Sequence, residues 1–386
     1  MQSEAEDRRP TLLILSFSQI VSDARVLKQV ALFRDDFAVF TCGFGPTPDG
    51  VVEHVRIPDG RRIEPRAPIL LRARLYRAVY RRIPAVAWSR RALRGRMFDV
   101  VLADDYETVP LALGLARSGV HCDLHEYSSR LYEEVPAWRR LVAPFVRWII
   151  RRYVRRAASV TTVGEGLARE YKREFGIRAE VVRNAAPYVE ADVRPTGVPI
   201  RLVHSGAGLR ARHLEETIAA VLRSRAAVTL DLYLTHNHPE YVEELRTLAA
   251  SSGGRVTVHD PVPYEQLAAT LRDYDIGVFV LRPVNFSYEW AMPNKVFDYI
   301  QARLGVIVGP SQEVAGFIRD LGVGVVTDGF AVEDIVRTLD ALTPEGVDAL
   351  KERSAAAARG VSAEEESVRW REAVDRILTG RSAARR

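Results

Sequence analysis

The chain has 386 residues, enough for two domains each with its own core, and its 47% apolar content is that of an ordinary globular protein. Its two cysteines, Cys42 and Cys122, are too few for a disulfide framework or a zinc cluster, so a reduced, cytoplasmic setting is expected. The net charge is only +5, and no apolar run is long enough to span a membrane or act as a signal peptide, "TLLILSF" after the acid-bearing start "MQSEAEDRRP" included.

In chain order, short apolar runs predict buried parallel strands at 11–17, 37–44, 99–104, 120–127, 159–164 and 180–184. Helical patterns fall between most of them, at 22–34, 107–117, 138–156 and 166–175. Residues 186–200, "APYVEADVRPTGVPI", carry three prolines and a glycine and read as a linker. The alternation then restarts, with strands at 200–207, 228–235, 255–260, 275–281 and 305–309. Such alternation means parallel sheets covered on both faces. The expected architecture is α/β: two doubly wound Rossmann-like domains facing across a cleft, over 1–190 and 191–365. A C-terminal helix at 366–386 is expected to cross back to the first domain.

Ligands in such sheets bind beyond the carboxyl ends of the strands, so the residues that follow each apolar run are the candidates. After 99–104 comes "ADDYE", whose paired acids suit either a metal or a helix cap; Asp105 is expected to cap a helix from about Glu107. After 120–124 stand His125 and Glu126; a histidine there serves as acid, base or donor, or is satisfied by a neighbouring loop. After 200–204 comes "SGAGLRARHLEETI". Gly206 and Gly208 allow a tight turn ahead of a helix, and Arg210 and Arg212 add charge where phosphate binds, or are merely solvated. His204 is expected to be a packed core residue, and His236 and His238 lack partners for a metal set.

The stretch "EWAMPNKVFDYIQARLG" at 289–305 places Pro293 in the first turn of a helix together with Asn294, Lys295 and Asp298. A nucleoside diphosphate at a helix start wants free amides and a cation such as Lys295, and a ribose offers hydroxyls to a carboxylate such as Asp298. The competing reading is a capped helix with solvated side chains.

Across most of its length the sequence resembles retaining GT-B glycosyltransferases of family 4. The resemblance is carried by "SDARVLKQVALF" (22–33), "DLHE" (123–126), "ASVTTVGEGLAREY" (158–171), the Asn184 segment, "SGAGLRARHLEETIAAV" (205–221), "DYDIGVFVL" and "PNKVFDYIQARLGVIVG" in that order. It implies that the C-terminal domain binds a nucleoside diphosphate sugar through Gly206, Gly208, Arg210, Arg212, Pro293, Asn294, Lys295 and Asp298. It places His125 at the reaction centre, with Asp23, Glu126 and Glu289 as lesser contacts to donor sugar or acceptor. No metal and no cofactor are implied, because basic residues and helix-end amides neutralise the leaving diphosphate. The family's usual Gly-Arg is here Gly206-Ala207, its lysine position falls on Arg212, and Arg210 is expected to replace the missing cation. The first of its paired glutamates falls on Trp290, one residue from Glu289, and the second on Asp298.

Arginine interleaves with aromatic and aliphatic residues at 61–96 and 138–157, a pattern that suits an anionic membrane surface as well as a solvated helix pair. No nucleic-acid recognition motif accompanies it. The expected function is transfer of a sugar to a lipid-linked or amphiphilic acceptor in cell-envelope or polysaccharide biosynthesis, in the cytoplasm at the inner face of the cell membrane. The alternatives are a nucleotide-sugar 2-epimerase on the same fold and a degenerate, non-catalytic partner.

Overall fold

The computed structural model describes residues 9–384, which divide into two units, each built on one parallel sheet. The acidic stretch at residues 1–8 lies outside the described residues.

The first unit takes the chain up to Arg183, together with Asn285–Ser287 and the C-terminal stretch from Ser367. Its strands are β1 (Thr11–Gln19), β2 (Ala38–Phe44), β3 (Glu53–Arg56), β4 (Phe98–Asp104), β5 (Ala116–Leu124), β6 (Ser159–Thr162) and β7 (Glu180–Val181). They lie in the order β3-β2-β1-β4-β5-β6-β7, so the winding reverses between β1 and β4. Leu12, Leu13, Ile14 and Leu15 of β1 are all fully buried, as expected of a central strand covered on both faces. The long helix Ala363–Ala384 adds Trp370, Val374 and Ile377 to the same core. Both cysteines are buried and free, and burial pushes the Cys42 thiol up to about 12.

The second unit takes Asn184–Val284 and Tyr288–Glu366. Its strands are β8 (Ile200–Ala207), β9 (Val228–Thr235), β10 (Val256–His259), β11 (Ile276–Phe279), β12 (Gly305–Val308) and β13 (Gly324–Val326). Their order is β10-β9-β8-β11-β12-β13, reversing between β8 and β11. Residues 182–199 form no helix or strand, yet the segment is tied down: Gln301 accepts from the amide of Val189 at 3.1 Å, and Glu364 from that of Tyr188 at 2.9 Å.

Several elements differ from the periodicity reading. The helix expected at 107–117 is only Val109–Ala112, and the chain is back in strand by Ala116. Asp105 does not cap it; the preceding residue is Thr108, and Asp105 adopts φ +63°, which turns its carboxylate elsewhere. The single helix expected at 138–156 is two helices, Pro136–Leu141 and Ala143–Arg152, followed by a 3-10 turn at Val154–Arg156. Pro144 is the second residue of the latter helix, in its first turn, and its ring cannot continue the former. Pro293 sits just ahead of the helix Asn294–Gln301 rather than inside its first turn.

The basic stretch 61–96 forms the short helices Pro68–Arg72, Tyr76–Arg82 and Pro84–Ala92. They bury Leu71, Tyr76, Val79, Tyr80 and Val86, while Arg72, Arg74, Arg77, Arg81 and Arg82 are exposed. Ile69 and Leu75 stand out among these arginines, 77% and 54% exposed. In 138–157, Phe145, Val146, Ile149 and Ile150 are buried, and Arg139, Arg140, Arg152, Arg155 and Arg156 face out.

Candidate active site

Two constellations form at strand ends, one in each unit. In the first unit, Asp104 and Asp123 are register partners at the carboxyl ends of β4 and β5, and His125 follows β5 directly. The helix Ala24–Phe33 projects Arg25 and Gln29, one turn apart, onto this spot. Arg25 grips Asp123 with two hydrogen bonds of 2.6 and 2.7 Å, and Gln29 donates to Asp104 at 2.9 Å and to Asp123 at 3.0 Å. Thr161 donates to Asp123 at 2.6 Å, and Trp370 in turn donates to Thr161 at 3.3 Å. The Trp370 ring also lies 4.6 Å under the Arg25 guanidinium. His121 on β5, pushed down to about 4 by burial, is neutral and completes the network through Thr161 at 3.0 Å.

His125 therefore faces three carboxylates. Its Nε2 lies 3.5 Å from Asp104 and 3.4 Å from Asp123, and its Nδ1 3.3 Å from Asp105. The Asp105 carboxylate, freed from capping, also accepts the His125 amide at 3.0 Å. Burial alone would lower the imidazole pKa; the three acids overcome it and raise it well above the usual value. Burial lifts Asp104 to about 6 despite the pull of His125, whereas Arg25 and His125 hold Asp123 well below the usual range against its own burial. The acids favour the charged imidazolium, whose side chain is 22% exposed while its Nε2 is buried between Asp104 and Asp123. In that form the imidazolium can donate and cannot accept a proton.

Asp104, Asp123 and His125 also present ligand atoms within 4.8 Å of one another, the spacing of a metal site. The surroundings do not suit one. Both oxygens of Asp123 are taken by Arg25 and Thr161, and Arg25 and His125 already bring two positive charges. Glu126 is exposed beside this group, and its carbonyl accepts the Tyr171 hydroxyl at 2.6 Å. Asp23 caps the helix Ala24–Phe33, accepting the amides of Arg25 and Val26 at 3.1 and 3.3 Å.

In the second unit, Gly206 lies one residue before the end of β8, and the helix Asn294–Gln301 brings Lys295 against it. A Cβ on Gly206 would lie 2.5 Å from the Lys295 ammonium, and its φ of +146° suits only glycine, so this close approach requires the residue. On Gly208 a Cβ would lie 2.6 Å from the Thr235 carbonyl oxygen. Arg212 and Lys295 share the face of Phe279 at the end of β11, with the guanidinium 5.9 Å and the ammonium 4.8 Å from the ring centre. Neither cation forms an ion pair with a carboxylate among the described residues. Burial and the Arg212 charge push Lys295 down to about 7. His204, packed as expected, donates Nδ1–H to the Val278 carbonyl at 2.9 Å, which leaves Nε2 to accept from Lys295 at 3.4 Å.

The remaining predicted residues divide. Asn294 opens the helix, whose first turn no side chain caps. Asp298 accepts the Tyr264 hydroxyl, one turn beyond Asn294. Arg210 does not join Lys295: it pairs with Glu244 at 2.6 Å and lies over Tyr241. Glu289 accepts the amide of Gln312 at 3.0 Å, at the start of the helix Gln312–Leu321. Sequence reasoning missed Arg25, Gln29, Thr161 and Trp370. The signal for the first pair was present, since both fall on the inward stripe of an otherwise apolar helix face.

Both units are doubly wound, and the chain as a whole has the GT-B fold. Residues 31–187 match the family model described as Glycosyltransferase Family 4. The solved structure of Anabaena HepE in complex with UDP is similar to this chain with a TM-score of 0.70 and 13% identity, covering 95% of this chain and 99% of that one. Sucrose-phosphate synthase from Thermosynechococcus elongatus is similar at 0.69 and 12%, covering 96% and 100%. The α,α-trehalose 6-phosphate synthase from Burkholderia multivorans is similar at 0.67 and 12%, covering 98% and 100%. No protein of curated function matches the chain by sequence.

Proposed function

We propose that the protein is a retaining glycosyltransferase that moves a sugar from a nucleoside diphosphate sugar to an acceptor hydroxyl without a metal. The observation that carries this reading is the pairing of Arg212 and Lys295, two cations without carboxylate partners, against Gly206 at the β8–β11 reversal. A diphosphate there relieves their mutual repulsion and accepts from the uncapped start of the helix Asn294–Gln301. Asp298 supplies a carboxylate for ribose hydroxyls. Uridine diphosphate is the nucleotide to try first, since HepE was solved with UDP and with UDP-glucose. Retention follows the resemblance to family 4, with His125 donating a hydrogen bond at the reaction centre.

Lys295→Ala or Arg212→Ala is expected to weaken nucleoside diphosphate binding at least tenfold, about 1.4 kcal/mol. Asp298→Ala should weaken nucleotide binding and leave free pyrophosphate untouched. Because Lys295 titrates near 7 when free, an arriving diphosphate draws a proton onto it. Affinity should therefore fall as pH rises above 7, and calorimetry in buffers of different ionisation enthalpy should register proton uptake. Unchanged affinity in both alanine variants removes the site.

The acceptor proposed is lipid-linked or amphiphilic, reached from the inner face of the cell membrane. The exposed arginines at 72–82, with Ile69 and Leu75 among them, support this. No described helix is long and apolar enough to cross a membrane. Each basic residue near an anionic surface contributes about 1 kcal/mol, screened over roughly 10 Å in moderate salt. Binding to anionic vesicles and not to neutral ones is expected, and it should be lost in salt and on replacing Arg72, Arg74, Arg77, Arg81 and Arg82 with glutamine. A wild-type protein that does not sediment with anionic vesicles at low salt points to a soluble acceptor.

A further inference from the structure

A wide concavity on the first unit lies away from the Asp104, Asp123 and His125 group. It is an open pocket of about 1090 Å³, bounded by Gly95–Met97, which lead into β4, and by Gly114 and Leu115, which lead into β5. These are the amino ends of the strands whose carboxyl ends carry Asp104 and His125, so the pocket opens at the opposite end of the sheet. Its floor is apolar: Val86, Leu93, Leu111 and Leu115 are buried beneath it.

Its walls are cationic. Arg81, Arg90, Arg91 and Arg94 line it and are exposed, and none of the four has a carboxylate partner among the described residues. Arg96, by contrast, is held by Glu53 through two hydrogen bonds of 2.7 and 2.8 Å. Four uncompensated guanidinium groups around one concavity repel each other and are stabilised by an anion, and their fork geometry matches phosphate oxygens two at a time. The volume exceeds what a lone phosphate needs and is of the size that takes a whole small ligand. The Tyr80 hydroxyl, in the same wall, is already committed to the Glu107 carbonyl at 2.8 Å, so the arginines supply the free polar contacts.

We propose that this pocket is a second anion site, independent of the donor site, which takes a ligand carrying more than one phosphate over an apolar body or headgroup stem. The chemistry is common to a soluble oligophosphate and to a phospholipid headgroup. The test is run on the full chain carrying Lys295→Ala and Arg212→Ala, so that the second unit contributes no phosphate site. Tripolyphosphate is titrated calorimetrically into this protein and into the same protein with Arg90, Arg91 and Arg94 changed to glutamine. A single site weakened at least tenfold by the glutamines supports the proposal and a soluble source. Vesicles of cardiolipin, which carries two phosphates, in phosphatidylcholine form the second arm. Sedimentation lost in the glutamine variant and competed by tripolyphosphate supports the headgroup source. If neither tripolyphosphate nor vesicle binding differs between the two proteins, the site does not exist. Circular dichroism of the glutamine variant guards against misfolding, and its donor binding in an otherwise wild-type chain reports on the donor reading separately.

Discussion

His125→Ala is expected to lower turnover by about 10² or more while leaving nucleotide affinity nearly unchanged. The imidazolium is the partly exposed cation of the first constellation, and it is surrounded by Asp104, Asp105 and Asp123. Its removal takes away a hydrogen bond that a developing negative charge would receive. The pH profile adds a sharper check. Because the acids raise His125 well above the usual histidine range, it keeps its proton through neutrality, and turnover should not depend on its losing one. In the same range burial holds Asp104 near 6 and Lys295 near 7, so an ionisation seen there belongs to one of these two and should persist in His125→Ala. A titration near the ordinary histidine pKa that disappears in His125→Ala would contradict this assignment, as would near-normal turnover in the variant.

Asp123→Ala is expected to cost about 3–5 kcal/mol of stability, the usual penalty for leaving half of a buried ion pair behind. Arg25 is 3% exposed and loses both of its hydrogen bonds to that carboxylate. For a unit of this size such a loss corresponds to a melting point lower by roughly 6–20 °C. The sign with pH follows from the direction of the shift. Asp123 is held well below its unfolded value, so its contribution is present above the unfolded carboxylate pKa and is lost only in strong acid. Replacing both partners, Arg25→Met with Asp123→Leu, should cost less than Asp123→Ala alone, because no charge is then left stranded. A single variant that melts with the wild type removes the network from the account.

The sheets were legible because central parallel strands are continuous apolar runs, and Thr11–Gln19 and Ile200–Ala207 stand out in any window. Edge strands were not. Glu53–Arg56 and Gly324–Val326 are too short and too mixed to give a period, and their pairing partners alone make them strands. The glycine turn and Pro-Asn-Lys segment pointed to Gly206, Arg212 and Lys295, which the fold brings together through contacts far apart in sequence. Arg210 looked equivalent to Arg212, but a 3-10 turn at Arg210–Arg212 directs it to Glu244 instead. The charge state of His125 was invisible, because it depends on Asp105 taking a left-handed backbone conformation rather than capping a helix. Trp370 could not be connected to Arg25 by any local pattern, since 344 positions of chain lie between them.

The central claim is that Lys295, Arg212 and Gly206 hold the diphosphate of a nucleotide sugar, and thermal denaturation against a panel of UDP, GDP, ADP and their sugars tests it most directly. A ligand at a hundredfold excess over its dissociation constant stabilises by about 2.7 kcal/mol, which for a unit of this size is a rise of roughly 5–10 °C. The account expects such a rise for at least one nucleotide in the presence of a chelator, and its loss in Lys295→Ala. A wild-type protein that no member of the panel stabilises at millimolar concentration would contradict it.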